Sequence, residues 1–259
     1  RYKLMHNWYD FPTYYDVSFS YDMRDELVFL KKIFKKYSNS PKPKLLEPAC
    51  GTGRLMIPLI QEGFDCSGFD LNKNALLYLK QKLNRRKIHA NIFYDNMINF
   101  RIHKKYDGIY CTVDTFRHLL KENDAKQHLI TAKNALKKHG IYVLGLHLIP
   151  KDKKIDKVTR WTAKRGRLTV KTIMSMVKLD KDKRRETLRV ELKIKTNNQN
   201  NTFTSIYQLR TYTLFQLKKI LRNVPELEII NVYNEYYDLS NPITLNSGID
   251  YAVILLRKN

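Results

Sequence analysis

The sequence predicts an α/β fold in which a doubly wound parallel sheet carries an inserted antiparallel β meander. Three observations support this prediction. A glycine-rich turn joins a strand-like segment to a helix-like segment within residues 45–60. Strand-like and helix-like segments then alternate as far as residue 149, the pattern that builds a parallel sheet. From residue 168 onward, polar and apolar side chains alternate with a period of two, which is typical of antiparallel strands.

The glycine-rich turn lies in residues 45–54, with the sequence LLEPACGTGR. Glycine is needed at Gly51 and Gly53 because a Cβ atom would hinder both the turn and the approach of a ligand. The helix that follows presents free backbone N–H groups and the positive end of its dipole. The turn therefore suits an anionic ligand group.

A carboxylate follows this turn at the spacing that suits a ribose. Asp70 lies nineteen residues after Gly51 and closes a second strand-like run, residues 64–69. From that place a carboxylate can accept hydrogen bonds from both hydroxyls of a ribose diol. The alternative is a purely structural turn, but the combination with Asp70 favours a nucleoside-containing ligand.

Two residues distinguish between classes of nucleoside ligand. A dinucleotide site usually has a glycine three residues after its second glycine, where this sequence has Met56. Glu47, at the end of the strand, would repel a pyrophosphate but would attract an amino group. These features favour S-adenosylmethionine over a nicotinamide cofactor.

The segment from Glu47 to Arg54, followed by Asp70 and Leu71, resembles motif I and its acidic position in class I S-adenosylmethionine-dependent methyltransferases. Ala49 stands where the motif usually has its first glycine, a change that part of the family shares. The resemblance continues along most of the chain, to a bacterial group with a β insertion before the last helix. It implies a Rossmann-like seven-stranded sheet, S-adenosyl-L-methionine as cofactor and S-adenosyl-L-homocysteine as product.

The resemblance also implies a role for several residues. We expect Glu47 to position the amino-acid end of the cofactor and Asp70 to bind its ribose. Asp95 would accept from the exocyclic amine of adenine and Met97 would pack against the ring, unless residues 95–97 form an ordinary turn. The residues expected to contact the cofactor are Tyr14, Glu47, Ala49, Gly51, Gly53, Arg54, Asp70, Leu71, Asp95, Asn96, Met97, Thr112 and Thr115.

The substrate end of the site is expected after the strand at residues 106–112, because ligands bind beyond the carboxyl ends of parallel strands. His118 lies there and is predicted to accept a proton from the substrate or to orient it. The alternative is a histidine satisfied within the start of a helix. Tyr15 is predicted to lie near the transferred methyl group as part of an aromatic lid. The lid's alternative role is to anchor the N-terminal segment.

Arg210 is the candidate for holding an anionic group of the substrate, since a guanidinium can bind a carboxylate or phosphate through two hydrogen bonds. The alternative is a strand-end arginine that pairs with a local acid. We expect catalysis at Tyr15, His118 and Arg210 on a small-molecule acceptor. The acceptor atom, whether N, O or C, stays open.

The later elements follow the same pattern. A helix is predicted at residues 123–139 and a strand at residues 141–149, before strands of the meander at residues 168–176, 187–194 and 203–212. We divide the chain into an N-terminal helical and aromatic lid segment (1–40), a cofactor-binding core (41–150), a β insertion that covers the substrate (151–212), and the last helix with the final two strands (213–259).

The charge of the chain leaves a second function open. The formal net charge is +23, and residues 151–195 hold 17 basic and 6 acidic residues. Such a field can attract nucleic acid, although it can also be a solvated face in a lysine-rich chain. An RNA methyltransferase that uses the insertion is therefore an alternative, as is a non-catalytic binding module. The Asn/Asp-Pro-Pro-aromatic motif common in nucleic-acid amino-methyltransferases does not follow residue 112, which disfavours the first alternative.

The cysteines and the apolar runs indicate the compartment. Cys50, Cys66 and Cys111 fall in predicted strands or strand ends, without disulfide or metal-ligand spacing. No segment resembles a signal peptide or reaches the roughly 18 apolar residues of a membrane span. We expect a cytoplasmic protein without metal or membrane attachment. The sequence begins with Arg1, and we expect that the natural chain starts earlier. A dimer stays open.

Overall fold

The computed structural model describes residues 2–4, 7–20, 23–150 and 158–259. The first part of the chain contains β1 (Tyr2–Leu4), a 3-10 turn (Trp8–Asp10), α1 (Pro12–Ser18), α2 (Arg24–Tyr37), β2 (Lys44–Pro48), α3 (Met56–Gln61), β3 (Asp65–Asp70), α4 (Lys73–Arg85) and β4 (Asn91–Tyr94). It continues with β5 (Tyr106–Cys111), a second 3-10 turn (Thr115–His118), α5 (Glu122–Ala135) and β6 (Leu136–His147). The remainder consists of β7 (Val158–Arg165), β8 (Leu168–Asp180), β9 (Arg185–Lys195), β10 (Asn200–Arg210), α6 (Leu214–Leu221), β11 (Leu227–Tyr233) and β12 (Tyr251–Lys258).

The main sheet has seven strands in the order β11-β12-β6-β5-β2-β3-β4. The five strands from β6 to β4 are parallel, and β12 is antiparallel to both of its neighbours. The predicted doubly wound, seven-stranded sheet is confirmed. The strand order reverses between β2 and β5, so the glycine turn after β2 lies beside the loop after β5. This reversal is where open α/β sheets bind ligands.

Apolar side chains cover both faces of the main sheet. Along β6, Tyr142 and Leu144 belong to one buried cluster, whereas Ile141 and Val143 belong to another. Successive side chains of a strand point to opposite faces, so the two clusters are the two halves of the core. The helices α5 and α6 contribute to the first cluster, and α2, α3 and α4 contribute to the second. This double coverage is what a mostly parallel sheet requires.

The inserted meander forms a separate five-stranded sheet in the order β1-β10-β9-β8-β7. Its strands β7 to β10 are antiparallel, as predicted. Two strands were not predicted. The side chains of β7 are mostly exposed, so the strand shows no apolar alternation. The short strand β1 pairs parallel with β10, a contact of distant segments that no local pattern indicates.

Several predicted boundaries are wrong. The helix predicted to reach residue 139 ends at Ala135, and β6 begins at Leu136 because that residue is extended and pairs with Tyr106 of β5. The pairing then shifts, so that Gly108 faces Ile141 and the intervening residues form an irregular bulge. The last meander strand, predicted at residues 203–212, runs instead from Asn200 to Arg210 because it pairs with β9 along its full length. The predicted start of the insertion, at residues 151–157, lies outside the described residues.

The N-terminal helix α1 is tied to α4 and to the meander through Asp16. The Asp16 carboxylate accepts hydrogen bonds from Tyr78 Oη at 2.8 Å and Lys82 Nζ at 2.7 Å, both on α4. It also accepts from Arg165 at 2.8 Å, on β7. Burial alone would raise the pKa of Asp16, but the Lys82 ammonium and these hydrogen bonds hold it below its ordinary value. Asp16 thus joins α1, the core and the meander.

Candidate functional site

A cavity of about 550 Å³ opens beyond the carboxyl ends of the parallel strands. Four segments contribute to its walls: the N-terminal segment, the glycine turn, the end of β3 with the start of α4, and the loops after β4 and β5. The lining residues are Asn7, Tyr9, Asp10, Tyr15, Ala49, Gly51, Thr52, Phe69, Asp70, Leu71, Asn72, Lys73, Asn74, Ala75, Asp95, Met97, Val113, Thr115 and His118. The structure therefore brings nine predicted cofactor or catalytic residues to one cavity: Tyr15, Ala49, Gly51, Asp70, Leu71, Asp95, Met97, Thr115 and His118.

The glycine turn adopts the left-handed backbone region at three positions. The φ angles are 53° at Ala49, 51° at Gly51 and 73° at Gly53. A Cβ on Gly51 would meet nothing closer than 4.0 Å, so its backbone conformation explains the glycine there. A Cβ on Gly53 would lie 2.5 Å from Leu79 Cδ1, so that position also requires close packing of α4. Ala49 adopts a conformation that is easier for the glycine usually found at its place in the motif.

The Asp70 carboxylate joins the glycine turn to the start of α4. Its Oδ2 accepts from the Gly51 N–H at 2.8 Å, and its Oδ1 accepts from the Asn72 N–H at 2.8 Å. Burial raises the pKa of Asp70, while the hydrogen bonds from these N–H groups act in the opposite direction. Each carboxylate oxygen has a second lone pair, and Asp70 lines the cavity. The side chain is thus fixed in position and can still accept from a ligand.

Asp95 and Met97 lie together in the cavity wall after β4. Asp95 accepts from the N–H groups of Asn96 at 2.8 Å and Arg101 at 3.0 Å. Burial alone would raise the pKa of Asp95, but these hydrogen bonds hold it below its ordinary value. Asp95 is therefore a carboxylate at neutral pH and can accept from an amine. Met97 is 7% exposed and adds an apolar surface to the wall.

Tyr15 and His118 line the cavity together with Tyr9. The Tyr9 hydroxyl and His118 Nε2 are 3.1 Å apart and share a hydrogen bond. The His118 ring stacks on Tyr207, with ring centroids 5.8 Å apart. Although His118 is accessible from the cavity, the surrounding protein desolvates it and lowers its pKa to about 4. His118 is therefore a neutral imidazole at physiological pH.

Buried Arg117 fixes the turn that carries His118. Its Nε donates to the carbonyl of Arg210 at 2.9 Å, and its terminal nitrogens pair with Asp114 at 3.1 Å and with Glu186. Burial opposes the ionisation of Asp114, but the Arg117 guanidinium holds the pKa of its carboxyl well below its usual range. Glu186 and Arg210 belong to the meander, so the meander and this wall of the cavity are connected through Arg117.

Several predicted cofactor residues do not line the cavity. Glu47 accepts a hydrogen bond from Tyr110 Oη at 2.9 Å at the end of β2. Arg54 donates to both carboxylate oxygens of Glu26, at 2.6 and 3.1 Å. The residues predicted as contacts that are absent from the lining are Tyr14, Glu47, Gly53, Arg54, Asn96 and Thr112. Their proposed contacts stay predictions.

Arg210 is also absent from the lining of the cavity. Its guanidinium donates to the carbonyl of Leu120 at 2.7 Å and to Glu122 Oε2 at 2.8 Å. This is the local pairing considered as the alternative from the sequence. Its role toward a substrate anion has no support in the geometry of the cavity.

Residues 7–10 form a wall of the cavity that was not predicted from the sequence. Asn72 Nδ2 donates to the carbonyl of Tyr9 at 3.0 Å and to Asp10 Oδ1 at 2.9 Å. The same side chain caps α4 by accepting from the Ala75 N–H at 3.0 Å. A signal for Asn72 exists, because it is a helix cap two residues after Asp70. Tyr9 and Asp10 offer none, since their segment has no regular period.

Comparisons with known proteins agree with this geometry. A sequence-family profile described as "Methyltransferase domain" matches residues 45–140. A protein of Geobacillus sp. (strain WCH70), provisionally named a methyltransferase, is 28% identical over 119 residues, which cover 46% of this chain and 48% of that protein. The chain therefore matches about half the length of this relative.

Solved structures match nearly the whole chain. An S-adenosylmethionine-dependent methyltransferase from Clostridium acetobutylicum superposes with a TM-score of 0.77 at 17% identity, covering 96% of this chain and 98% of that one. CalS10, described as an amino pentose methyltransferase from Micromonospora echinaspora and solved with S-adenosylmethionine bound, gives a TM-score of 0.73 at 14% identity, covering 96% of both chains.

Within residues 7–20, 23–150 and 158–259, no helix has the length and apolar character that a membrane crossing requires.

Glu47→Gln tests the electrostatics of the strand end. Burial raises the pKa of Glu47 to about 8 from an ordinary 4.5, more than the Tyr110 hydrogen bond lowers it. The folded protein therefore loses stability as pH rises from about 4.5 to about 8, because ionisation is easier in the unfolded chain. Glutamine can still accept from Tyr110 and has no such cost. We expect Glu47→Gln to raise the melting temperature at pH 8.5 and to change it little at pH 4.5. A variant that is equally destabilised at both pH values would contradict this assignment.

Proposed function

We propose that this protein, whose residues 45–140 match a methyltransferase-domain profile, is a class I enzyme that transfers a methyl group from S-adenosylmethionine to a small-molecule acceptor. One observation carries the proposal. The fixed carboxylate of Asp70 lines the same cavity as Asp95 and the Tyr9–His118 pair. A carboxylate suited to a ribose and a set of groups suited to an acceptor therefore line the same cavity.

The residues of the cavity fit this cofactor. Asp70 has lone pairs for a ribose diol, Asp95 has a carboxylate for an exocyclic amine, and Met97 has an apolar surface for a ring. Gly51 leaves the space that the amino-acid end would need. The volume of about 550 Å³ lies within the range of ordinary small-molecule sites. When bound, the cofactor supplies an electrophilic methyl group on a sulfonium.

The residues of this chain contribute mainly by positioning. Methyl transfer from a sulfonium is an in-line displacement, and alignment of the reactants can supply up to about 7–11 kcal/mol. Tyr9, Tyr15 and His118 hold the acceptor in place, and the N-terminal wall excludes water. With a pKa of about 4, His118 is a weak base at neutral pH. We therefore assign it an orienting role, with its Nε2 engaged by Tyr9.

We further propose that the acceptor presents an amine. Asp10 contributes a carboxylate to the wall formed by the N-terminal segment, and Lys73 is the one lysine or arginine of the described lining. The anionic substrate that Arg210 suggested is not part of the proposal, because that side chain is engaged by Glu122. The amino pentose named for CalS10 supports an amine acceptor on a small molecule.

Other parts of the proposal rest on the sequence. We place the protein in the cytoplasm, an assignment supported by three cysteines that are buried as free thiols. We keep the division of the chain at residues 40, 150 and 212 and leave a dimer open. The second candidate function is RNA methylation that uses the basic insertion. The observation that favours it is the excess of basic over acidic residues in 158–195.

Asp70→Asn tests the ribose contact. The variant keeps the shape of the side chain but replaces the carboxylate, so it loses a charge-assisted hydrogen bond worth about 1.5–3 kcal/mol. We expect the dissociation constant for S-adenosylmethionine, measured by calorimetry, to rise by about tenfold or more. Asp65→Asn, at the other end of β3, is the matched control and should bind as the parent does. Melting curves of both variants are recorded to confirm that each is folded under the conditions of the titration. Unchanged affinity in folded Asp70→Asn would remove Asp70 from the site.

The identity of the acceptor is tested with paired compounds. Small amines, including amino sugars, and their hydroxyl counterparts are incubated with the protein and S-adenosylmethionine, and formation of S-adenosylhomocysteine is measured. We expect methylation of amines, with the KM raised about tenfold by Asp10→Asn because the carboxylate no longer attracts the amine. Asp182→Asn, in the exposed turn after β8, is the control. Methylation of the hydroxyl compounds alone would contradict the amine proposal.

A further inference from the structure

The meander sheet has one face that packs on the N-terminal segment and one that does not. Trp8 and Val17 pack against Val170, Val190 and Leu192 on the first face. Because side chains alternate along strands, the residues between these belong to the opposite face. We call this opposite face of β7–β10 the outer face.

Cations dominate the outer face. The pairing registers place seven exposed cationic side chains on it: Arg160, Lys164, Lys171, Lys178, Arg189, Lys193 and Lys195. Among the described residues of this face, the acids are Glu191, which pairs with Arg189 at 3.5 Å and Lys193 at 3.3 Å, and Asp180, which lies opposite Arg185 at the end of β8. The whole chain has 48 basic and 25 acidic residues. The imbalance on the outer face therefore exceeds that of the composition.

Exposed apolar side chains accompany these cations at one end of the outer face. Val158, Ser175, Arg189 and Ile206 lie in one row across the four strands. Val158 is 46% exposed and Ile206 is 58% exposed. Val177, in the neighbouring bulge of β8, is 52% exposed. Exposed apolar side chains contribute little hydrophobic stabilisation unless another surface covers them.

We propose, in contrast to the expectation from the sequence of no membrane attachment, that the outer face docks the protein onto an anionic lipid surface. Each lysine or arginine near such a surface is attracted to it, and exposed Val158 and Ile206 can enter the headgroup region. A second copy of this chain would bring like charges together across the same face. Single-stranded nucleic acid is bound largely by stacking on aromatic side chains, and the described outer-face positions include none. This inference does not depend on the identity of the methyl acceptor.

Co-sedimentation with vesicles tests the proposal. The full chain is mixed at low and at moderate salt with vesicles of phosphatidylcholine alone or of phosphatidylcholine with phosphatidylglycerol. We expect partition onto the anionic vesicles only. The double variant Lys171→Glu/Lys193→Glu should lower the partition coefficient by at least about tenfold, because it reverses two charges at the centre of the face. The matched control Lys35→Glu/Lys36→Glu makes the same charge change on exposed positions of α2 and should retain most of the binding.

Four results would overturn the proposal. In the first, the parent protein fails to sediment with anionic vesicles. In the second, both double variants lose binding equally, so that vesicle binding would depend on the net charge of the chain and not on the outer face. Alternatively, the parent binds a single-stranded RNA through Lys171 and Lys193 while ignoring vesicles. Finally, light scattering shows a dimer that the Lys171→Glu/Lys193→Glu variant converts to a monomer. Melting curves of both variants confirm that loss of binding does not reflect loss of folding.

Discussion

The site depends on the two backbone hydrogen bonds that Asp70 accepts. Its carboxylate receives the N–H groups of Gly51 and Asn72, each at 2.8 Å, and so joins the turn after β2 to the start of α4. Gly51 lies in a turn and Asn72 is the N-cap residue of α4, so no strand or helix partner satisfies their N–H groups. The left-handed conformation of Gly51 is part of the same arrangement. One side chain therefore fixes the floor of the cavity and still presents lone pairs to a ligand.

The opposite wall depends on contacts between distant segments. Asn72 extends the arrangement by donating to the carbonyl of Tyr9 and to Asp10, while Asp16 binds α1 to α4 and to the meander. Arg117 makes the corresponding link between the meander and the turn of His118. The cavity is thus enclosed by three parts of the chain that polar contacts hold together. These contacts explain how a short N-terminal segment without its own core becomes part of the site.

The parts that the sequence predicted are those with a local cause. The glycine turn and Asp70 follow from backbone geometry and spacing, and the residues around them line the cavity. Tyr9 and Asp10 were missed because their place is set by Asn72, more than sixty residues away. For Arg210 the sequence left a substrate role and pairing with an acid both open, because its partner Glu122 lies 88 residues away in the chain. The strand β7 was missed because its exposed side chains carry no periodic signal.

The most direct test of the central claim is a calorimetric titration of the folded protein with S-adenosylmethionine, S-adenosylhomocysteine and, as control, NADH. We predict micromolar binding of the first two and none of NADH. Asp70 and Asp95 suit a ribose and an adenine, whereas the turn lacks the third glycine of a dinucleotide site and has Met56 in its place. Absence of binding by both sulfur compounds, with the protein shown to be folded, would contradict the assignment. It would indicate a methyltransferase fold that serves as a non-catalytic module.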